Sequence, residues 1–285
     1  MAGTQPSPAD PTDVAFPSGD GSALRAWHWT HPAPRAILTI SHGLGEHGGS
    51  YRQVAEMIAT RSQVDVLAFD YRGHGRSAGP RGVVRTYQDL EADLLAALGR
   101  AAELRPGIPR FLLGHSNGGL VAARVVADGD RGLAGLILSN PALRLATRVP
   151  RWKKTVGRIL SRLAPNATLS TGLRELSNTQ DPAMIAAMAA DPLRHGRIGP
   201  SFFFGMIEAG TGMLGRADQI RLPTLMILGG ADPIIDPAAS RAFFNQLGSS
   251  DKTLQIEPEM RHEPFNEIGR ERVVADVAAW IEARV

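Results

Sequence analysis

The 285-residue chain contains no cysteine. Disulfides, thiolate metal sites and a cysteine nucleophile are therefore excluded together. It also has no long apolar run. The longest stretch free of Asp, Glu, Lys and Arg is the 13 residues from Phe111 to Ala123, well short of the ~20 apolar residues that a spanning helix needs. Residues 1–13 lack both a basic start and an apolar core, so no secretory signal is read there and a flexible lead-in is expected. With neither signal nor span, a cytoplasmic protein is the expectation. Lysine is scarce, 3 residues against 28 arginines, a bias that reads as codon usage rather than function. Acidic residues are missing altogether between Arg131 and Arg174, where nine basic ones occur. The net charge of +3 thus hides a +9 segment in a body that carries −6, a pattern that suggests attraction to an anionic surface. What is present, 43% hydrophobic and 21% charged side chains, is the composition of a folded domain and excludes disordered or collagen-like chains.

Alternation in Leu24–Trp29 predicts a half-buried strand, and the Gly/Asp/Ser cluster from Ser18 to Ser22 predicts a hairpin turn before it. Short, continuously apolar runs follow at 36–40, 64–69, 111–113, 133–138 and 225–228, as expected of parallel strands buried on both faces. Helical patterns occupy 51–60, 87–104, 120–127, 237–247 and 270–284. Strands alternating with helices predict an α/β fold with a mostly parallel, doubly wound sheet. The alternation fails from Asn140 to about Arg216, which reads as an insertion. The expected division is a core of 14–140 and 217–285 with an inserted segment at 141–216. Within the insertion, Val149, Trp152, Val156, Ile159, Leu160 and Leu163 follow helical spacing, with arginines and lysines on the other faces.

Gly114-His115-Ser116-Asn117-Gly118 is a G-x-S-x-G between an apolar strand and a helix, the context in which a sharp turn lifts a serine hydroxyl above a sheet. Ser116 is the candidate nucleophile. It needs a base, and the base needs an orienting group. Only His195 and His262 lie downstream, and His195 falls in the insertion, which leaves His262, on a loop before the last helix. Two acids follow the run at 225–228, Asp232 and Asp236. Asp236 before Pro237 has the pattern of a helix N-cap, so Asp232 is assigned as the orienting carboxylate and Asp236 is kept as the alternative. An oxyanion needs two backbone N–H donors, one from the residue after the nucleophile and one from the loop after an early strand. Asn117 and Leu44 fill these places. His42, His47 and His115 lack the spacing of a zinc helix, so no metal is expected. The turn Asp70–Ser77 has neither the lysine nor the G-x-G-x-x-G of a nucleotide loop and reads as structural. No nucleic-acid motif accompanies the basic segment.

His42-Gly43-Leu44-Gly45-Glu46-His47 with Tyr51, the Asp70–Ser77 turn, Gly114–Gly119, Ala231-Asp232-Pro233, His262–Glu267 and Asp191-Pro192-Leu193-Arg194-His195 together resemble the monoacylglycerol lipase and lysophospholipase branch of the α/β-hydrolases, especially its bacterial members. The resemblance runs from about Val14 to the end. It implies an α/β-hydrolase fold, a Ser116–Asp232–His262 triad, Leu44 and Asn117 as oxyanion donors, no cofactor, and a helical cap at 141–216 over an acyl tunnel. It also implies a serine hydrolase that takes a lipid ester, cleaving monoacylglycerol to glycerol and fatty acid. A lysophospholipid or simple ester as substrate and a low-turnover binding protein on the same fold are the alternatives. The chain departs from the branch at Asn117, where methionine is usual, which would put an amide at the floor of the acyl site. It departs also at Ser50, where many relatives have arginine.

Most of the basic segment falls on the predicted helix at 149–163. An apolar stripe flanked by cations suits a helix lying in a membrane interface, whereas a stripe packed on the core with solvated charges is the plainer reading. The oligomeric state is not written in these motifs. Docking through this helix requires that liposomes containing anionic lipid bind the protein better than neutral ones at low salt, in a co-sedimentation assay; equal binding would assign the charges to solvation.

Overall fold

In the computed structural model, residues 10–147, 164, 166–172 and 175–285 are described. The predicted helix at 149–163 lies outside them. Eight strands form one sheet in the order β1-β2-β4-β3-β5-β6-β9-β10: β1 (Thr12–Pro17), β2 (Ala23–Trp29), β3 (Ala36–Ser41), β4 (Val64–Asp70), β5 (Arg110–His115), β6 (Gly135–Ser139), β9 (Thr224–Gly229) and β10 (Lys252–Glu257). β1 and β2 make the predicted hairpin, and β2 meets β4 antiparallel. All other pairs in the sheet are parallel. β1 begins at Thr12, two residues ahead of the expected core boundary, because Thr12 and Asp13 already pair with His28 and Trp27.

Each apolar run has the length of one strand, and its alternate residues enter two different cores. Val64, Val66 and Ala68 of β4 pack with Val54, Ile58, Val273 and Val277 on one face. These come from α1 (Arg52–Ser62) and α8 (Arg270–Glu282). Leu67 and Phe69 belong to the core on the other face, with α2 (Gln88–Leu104), α3 (Ser116–Ala127), α6 (Pro200–Leu214) and α7 (Pro237–Gln246). Burial on both sides is why these strands read as continuous rather than alternating runs.

Between β6 and β9 no strand joins the main sheet among the described residues. The segment contains a two-residue ladder of β7 (Leu169–Ser170) with β8 (Arg197–Ile198), and the helices α4 (Glu175–Asn178), α5 (Pro182–Ala190) and α6. The Asn178–Asp181 stretch grips the loop before α8. Glu263 N–H donates to the Asn178 carbonyl at 2.8 Å, the Thr179 hydroxyl donates to the Asn266 carbonyl at 2.8 Å, and Arg270 pairs with Asp181 at 2.7 Å. Among the described residues no helix is long and apolar enough to cross a membrane.

The Asp70–Ser77 turn is held by its own charges. Asp70 accepts from the N–H groups of Gly48 and Arg76. The Arg72 guanidinium lies on Asp93 at 2.6 Å and reaches Asp20 and Ser18 in the first hairpin. Asp93 is fully buried. Removing one partner of such a pair strands the other charge and costs about 3–5 kcal/mol. Asp93→Ala is expected to lower unfolding stability by about 3 kcal/mol in urea titration.

Candidate active site

Four parallel strands release their loops at one edge of the sheet, and every candidate residue sits there. β5 ends at His115 and α3 starts at Ser116, with no linker between them. The turn is so tight that Ser116 takes φ +52°, a backbone state that side chains other than glycine rarely adopt. Its neighbours must be glycine. A Cβ on Gly118 would stand 2.1 Å from the Ser41 carbonyl oxygen, and one on Gly114 would stand 2.7 Å from Gly119 Cα. Both glycines of the G-x-S-x-G therefore permit backbone contact, of the helix start with β3 and of the strand with the helix.

His262, on the loop after β10, places Nε2 2.8 Å from Ser116 Oγ and Nδ1 2.7 Å from Asp232 Oδ2. The other oxygen of Asp232 accepts from the N–H groups of Ile234 and Ile235 at 2.7 and 3.1 Å. Asp236 lies elsewhere: it caps α7 through Ala238 and Ala239 N–H and pairs with Arg144. Burial opposes ionisation of Asp232, but the charge and hydrogen bond of His262, with the two backbone donors, hold its carboxyl below the usual range. Burial likewise opposes a charged His262. The Asp232 carboxylate bonded to it, with Glu263 and Glu46 nearby, outweighs this and raises its pKa. A serine hydroxyl bonded to an imidazole that is oriented and charge-balanced by a carboxylate is able to lose its proton as it attacks a carbonyl.

Asn117 lies in the first turn of α3, where backbone N–H groups have no intrahelical acceptor. The Leu44 N–H likewise meets no acceptor among the described residues. The Leu44 loop is folded back by Glu46, whose Oε2 accepts from Gly43 N–H at 2.8 Å and from the Tyr51 hydroxyl at 2.9 Å. Thus the glutamate of H-G-x-G-E-H ties the loop. The histidines of the region do not converge. His42 bonds the backbone of Gly43 and Tyr71, His47 bonds Asp191 at 2.8 Å, and His115 faces Ser139. Burial drives His42 and His115 down to about 3, with the neighbouring His262 contributing at His115. A different trio, Glu46, His115 and Glu263, brings its donor atoms within 4.8 Å of one another. The cation that serves those carboxylates is the Arg194 guanidinium, 2.8 Å from Glu263 and 3.7 Å from Glu46.

The Asn117 amide does not floor the acyl site as the sequence suggests. Its Oδ1 is instead engaged by the Tyr87 hydroxyl, which donates to it at 2.8 Å. The pairing satisfies the amide oxygen, which would otherwise carry the cost of an unpaired buried acceptor. Asn140, singled out by no motif, spans three loops: its Oδ1 accepts from Gly229 N–H at 3.0 Å and its Nδ2 donates to the His262 carbonyl at 2.8 Å. Glu263 and Arg194 were likewise quoted in motifs without a role. Nothing in local spacing marks such residues, whose partners are more than 60 positions away.

Ser116 and His262 open into a cavity of about 240 Å³. Its lining mixes apolar residues, among them Leu44, Ala142, Leu145, Met188, Met206 and Ile234, with polar ones, among them Glu46, Asp191, Arg194, His195 and Glu263.

A family model described as serine aminopeptidase, S33, matches residues 32–269. The monoacylglycerol lipase of Mycolicibacterium smegmatis is 33% identical over 89% of this chain and 90% of its own length. A phospholipase of Bacillus subtilis is 28% identical over 90% and 98%. The crystal structure of the Paleococcus ferrophilus monoacylglycerol lipase superposes with a TM-score of 0.81 at 27% identity, covering 97% of this chain and all of that one.

The two acids separate experimentally. Asp232→Asn should slow reaction of Ser116 with a fluorophosphonate by about 10⁴-fold. Asp236→Ala should leave that rate near wild type and lower stability by about 1 kcal/mol through the lost cap.

Proposed function

Because the chain belongs to the serine aminopeptidase S33 family and has the α/β-hydrolase fold, we propose that it is a serine hydrolase of carboxylic esters whose substrate is monoacylglycerol. The observation that carries this reading is the bonded series Ser116–His262–Asp232 opening into a cavity lined by both apolar and polar residues. The apolar lining residues suit acyl carbons, and the polar ones suit the glycerol hydroxyls. The relatives named as lipases cover nine-tenths of the chain, which favours an ester over a peptide as substrate.

Ser116 Oγ attacks the ester carbonyl while His262 Nε2 takes its proton. The oxyanion rests on the N–H groups of Leu44 and Asn117, each such donor contributing about 3 kcal/mol to the transition state. Protonated His262 then delivers that proton to the departing glycerol oxygen, and the acyl group stays on Ser116. Water, deprotonated by the same imidazole, attacks the acyl-enzyme and releases the fatty acid and free serine. Segment 141–216 acts as the cap over the cavity, and the basic helix predicted within it is the candidate for peripheral contact with an anionic membrane.

The similarity to a phospholipase favours lysophospholipid as the second reading. A panel of monoacylglycerol, lysophosphatidylcholine and p-nitrophenyl esters of rising chain length separates the two. Monoacylglycerol is expected to give the highest kcat/KM, and Ser116→Ala is expected to abolish turnover of every member while circular dichroism stays native. Turnover surviving in that variant would refute the nucleophile, and a higher kcat/KM on the lysolipid would transfer the substrate assignment.

A further inference from the structure

Two carboxylates, Glu46 and Glu263, are buried at 3% and 3% exposure beside the triad histidine. They come from opposite edges of the site, the loop after β3 and the residue next to His262. Among the described residues the only arginine bonded to either is Arg194, from the segment between β6 and β9: its guanidinium donates to Glu263 Oε1 at 2.8 Å and lies 3.7 Å from Glu46 Oε1. The rest of Asp191–His195 is moored around it. Asp191 Oδ2 is bonded to His47 Nε2 at 2.8 Å, His195 N–H donates to the Gly45 carbonyl at 3.0 Å, and His195 Nε2 lies 3.1 Å from the Gly73 carbonyl. Contact at Gly45 is so close that a Cβ there would stand 2.1 Å from the His195 carbonyl oxygen. The segment is therefore seated directly on the loop that holds Leu44.

We propose that Arg194 is a positioning residue for the triad: docking of the 191–195 segment brings in the one positive charge that balances Glu46 and Glu263, so His262 reaches its working protonation state only when the inserted segment is seated. The inference rests on the hydrolase reading above.

The charges around the site make the direction definite. His262 faces Asp232, Glu263 and Glu46, and its ring lies 4.9 Å from that of His115, which burial keeps neutral near neutral pH. Glu263 is pushed up by burial and by Glu46, and is drawn back by Arg194 and the hydrogen bond from Asn266. Tyr51, on Glu46, has its own ionisation suppressed by burial and by both carboxylates. Arg194 stays charged because Glu263 and Glu46 outweigh its burial. Taking the guanidinium away leaves the carboxylates to favour the imidazolium. Since the base must be neutral to accept the serine proton, activity should then be lost at a higher pH.

The test follows kcat/KM for p-nitrophenyl butyrate, and the rate of fluorophosphonate labelling, against pH. For the wild type the acidic limb is expected above the ordinary histidine value of 6.5. In Arg194→Gln it is expected to move up by about 1 pH unit, in Arg194→Lys to stay within a few tenths of wild type, and in the double variant Arg194→Gln/Glu263→Gln to return toward wild type. Thermal melts certify that each variant is folded. An unmoved limb in folded Arg194→Gln overturns the proposal, as does equal displacement in the Lys and Gln variants, which would make the arginine a packing piece. Should Arg194→Gln fail to fold, the double variant decides: a limb near wild type supports charge balance, and one displaced upward refutes it. Absence of wild-type labelling would instead refute the hydrolase reading itself.

Discussion

The strand-to-helix turn at Ser116 is the constraint on which the rest of the site depends. A positive φ at a serine is costly, of order 1–3 kcal/mol, and persists here because the chain on both sides is buried and fully engaged. β5 is hydrogen-bonded on both edges, to β3 and β6, and α3 is packed in the larger core. The Gly118 carbonyl accepts from the Ser41 hydroxyl at 3.0 Å, so the helix start is bonded to the end of β3. That one contact brings the loop carrying Leu44 beside the serine. The strained turn, the neighbouring strand end and the first-turn N–H groups of α3 form one geometric unit.

Buried charge is the second organising force. The Asp70–Ser77 turn and the triad loops both carry carboxylates at full or near-full burial, each with a guanidinium or backbone donors to answer it. Such pairs add little net stability. Their effect is on geometry, because an unanswered charge in that environment is so costly that alternative loop packings are excluded. The Arg72 and Arg194 clusters do this at two scales, one tying a turn to the first hairpin and the other tying the 191–195 segment to the loops that carry Glu46 and Glu263.

The comparison with known lipases fits this division. Fold similarity extends over nearly the whole chain, whereas the polar pairings at the site are local: the Asn117 amide oxygen bonded by Tyr87, and Arg194 between two buried glutamates.

Much of this was legible in the residues themselves. The parallel strands read from the runs at 36–40, 64–69, 111–113, 133–138 and 225–228, the first hairpin, the tight strand-to-helix turn at Ser116 and the helix N-cap at Asp236 each follow from a local rule: apolar run length, turn chemistry, or a proline after an N-capping aspartate. The core boundary at Thr12, the pairing of Asn117 with Tyr87, the three-loop bond of Asn140 and the position of Arg194 did not follow. Sequence acts locally, through propensity, periodicity and short motifs, and so it determined which elements form and which loops leave the carboxyl edge of the sheet. Tertiary structure decided which polar groups answer one another across that edge, because a buried charge or amide is satisfied by whatever the packing of distant segments brings within about 3 Å.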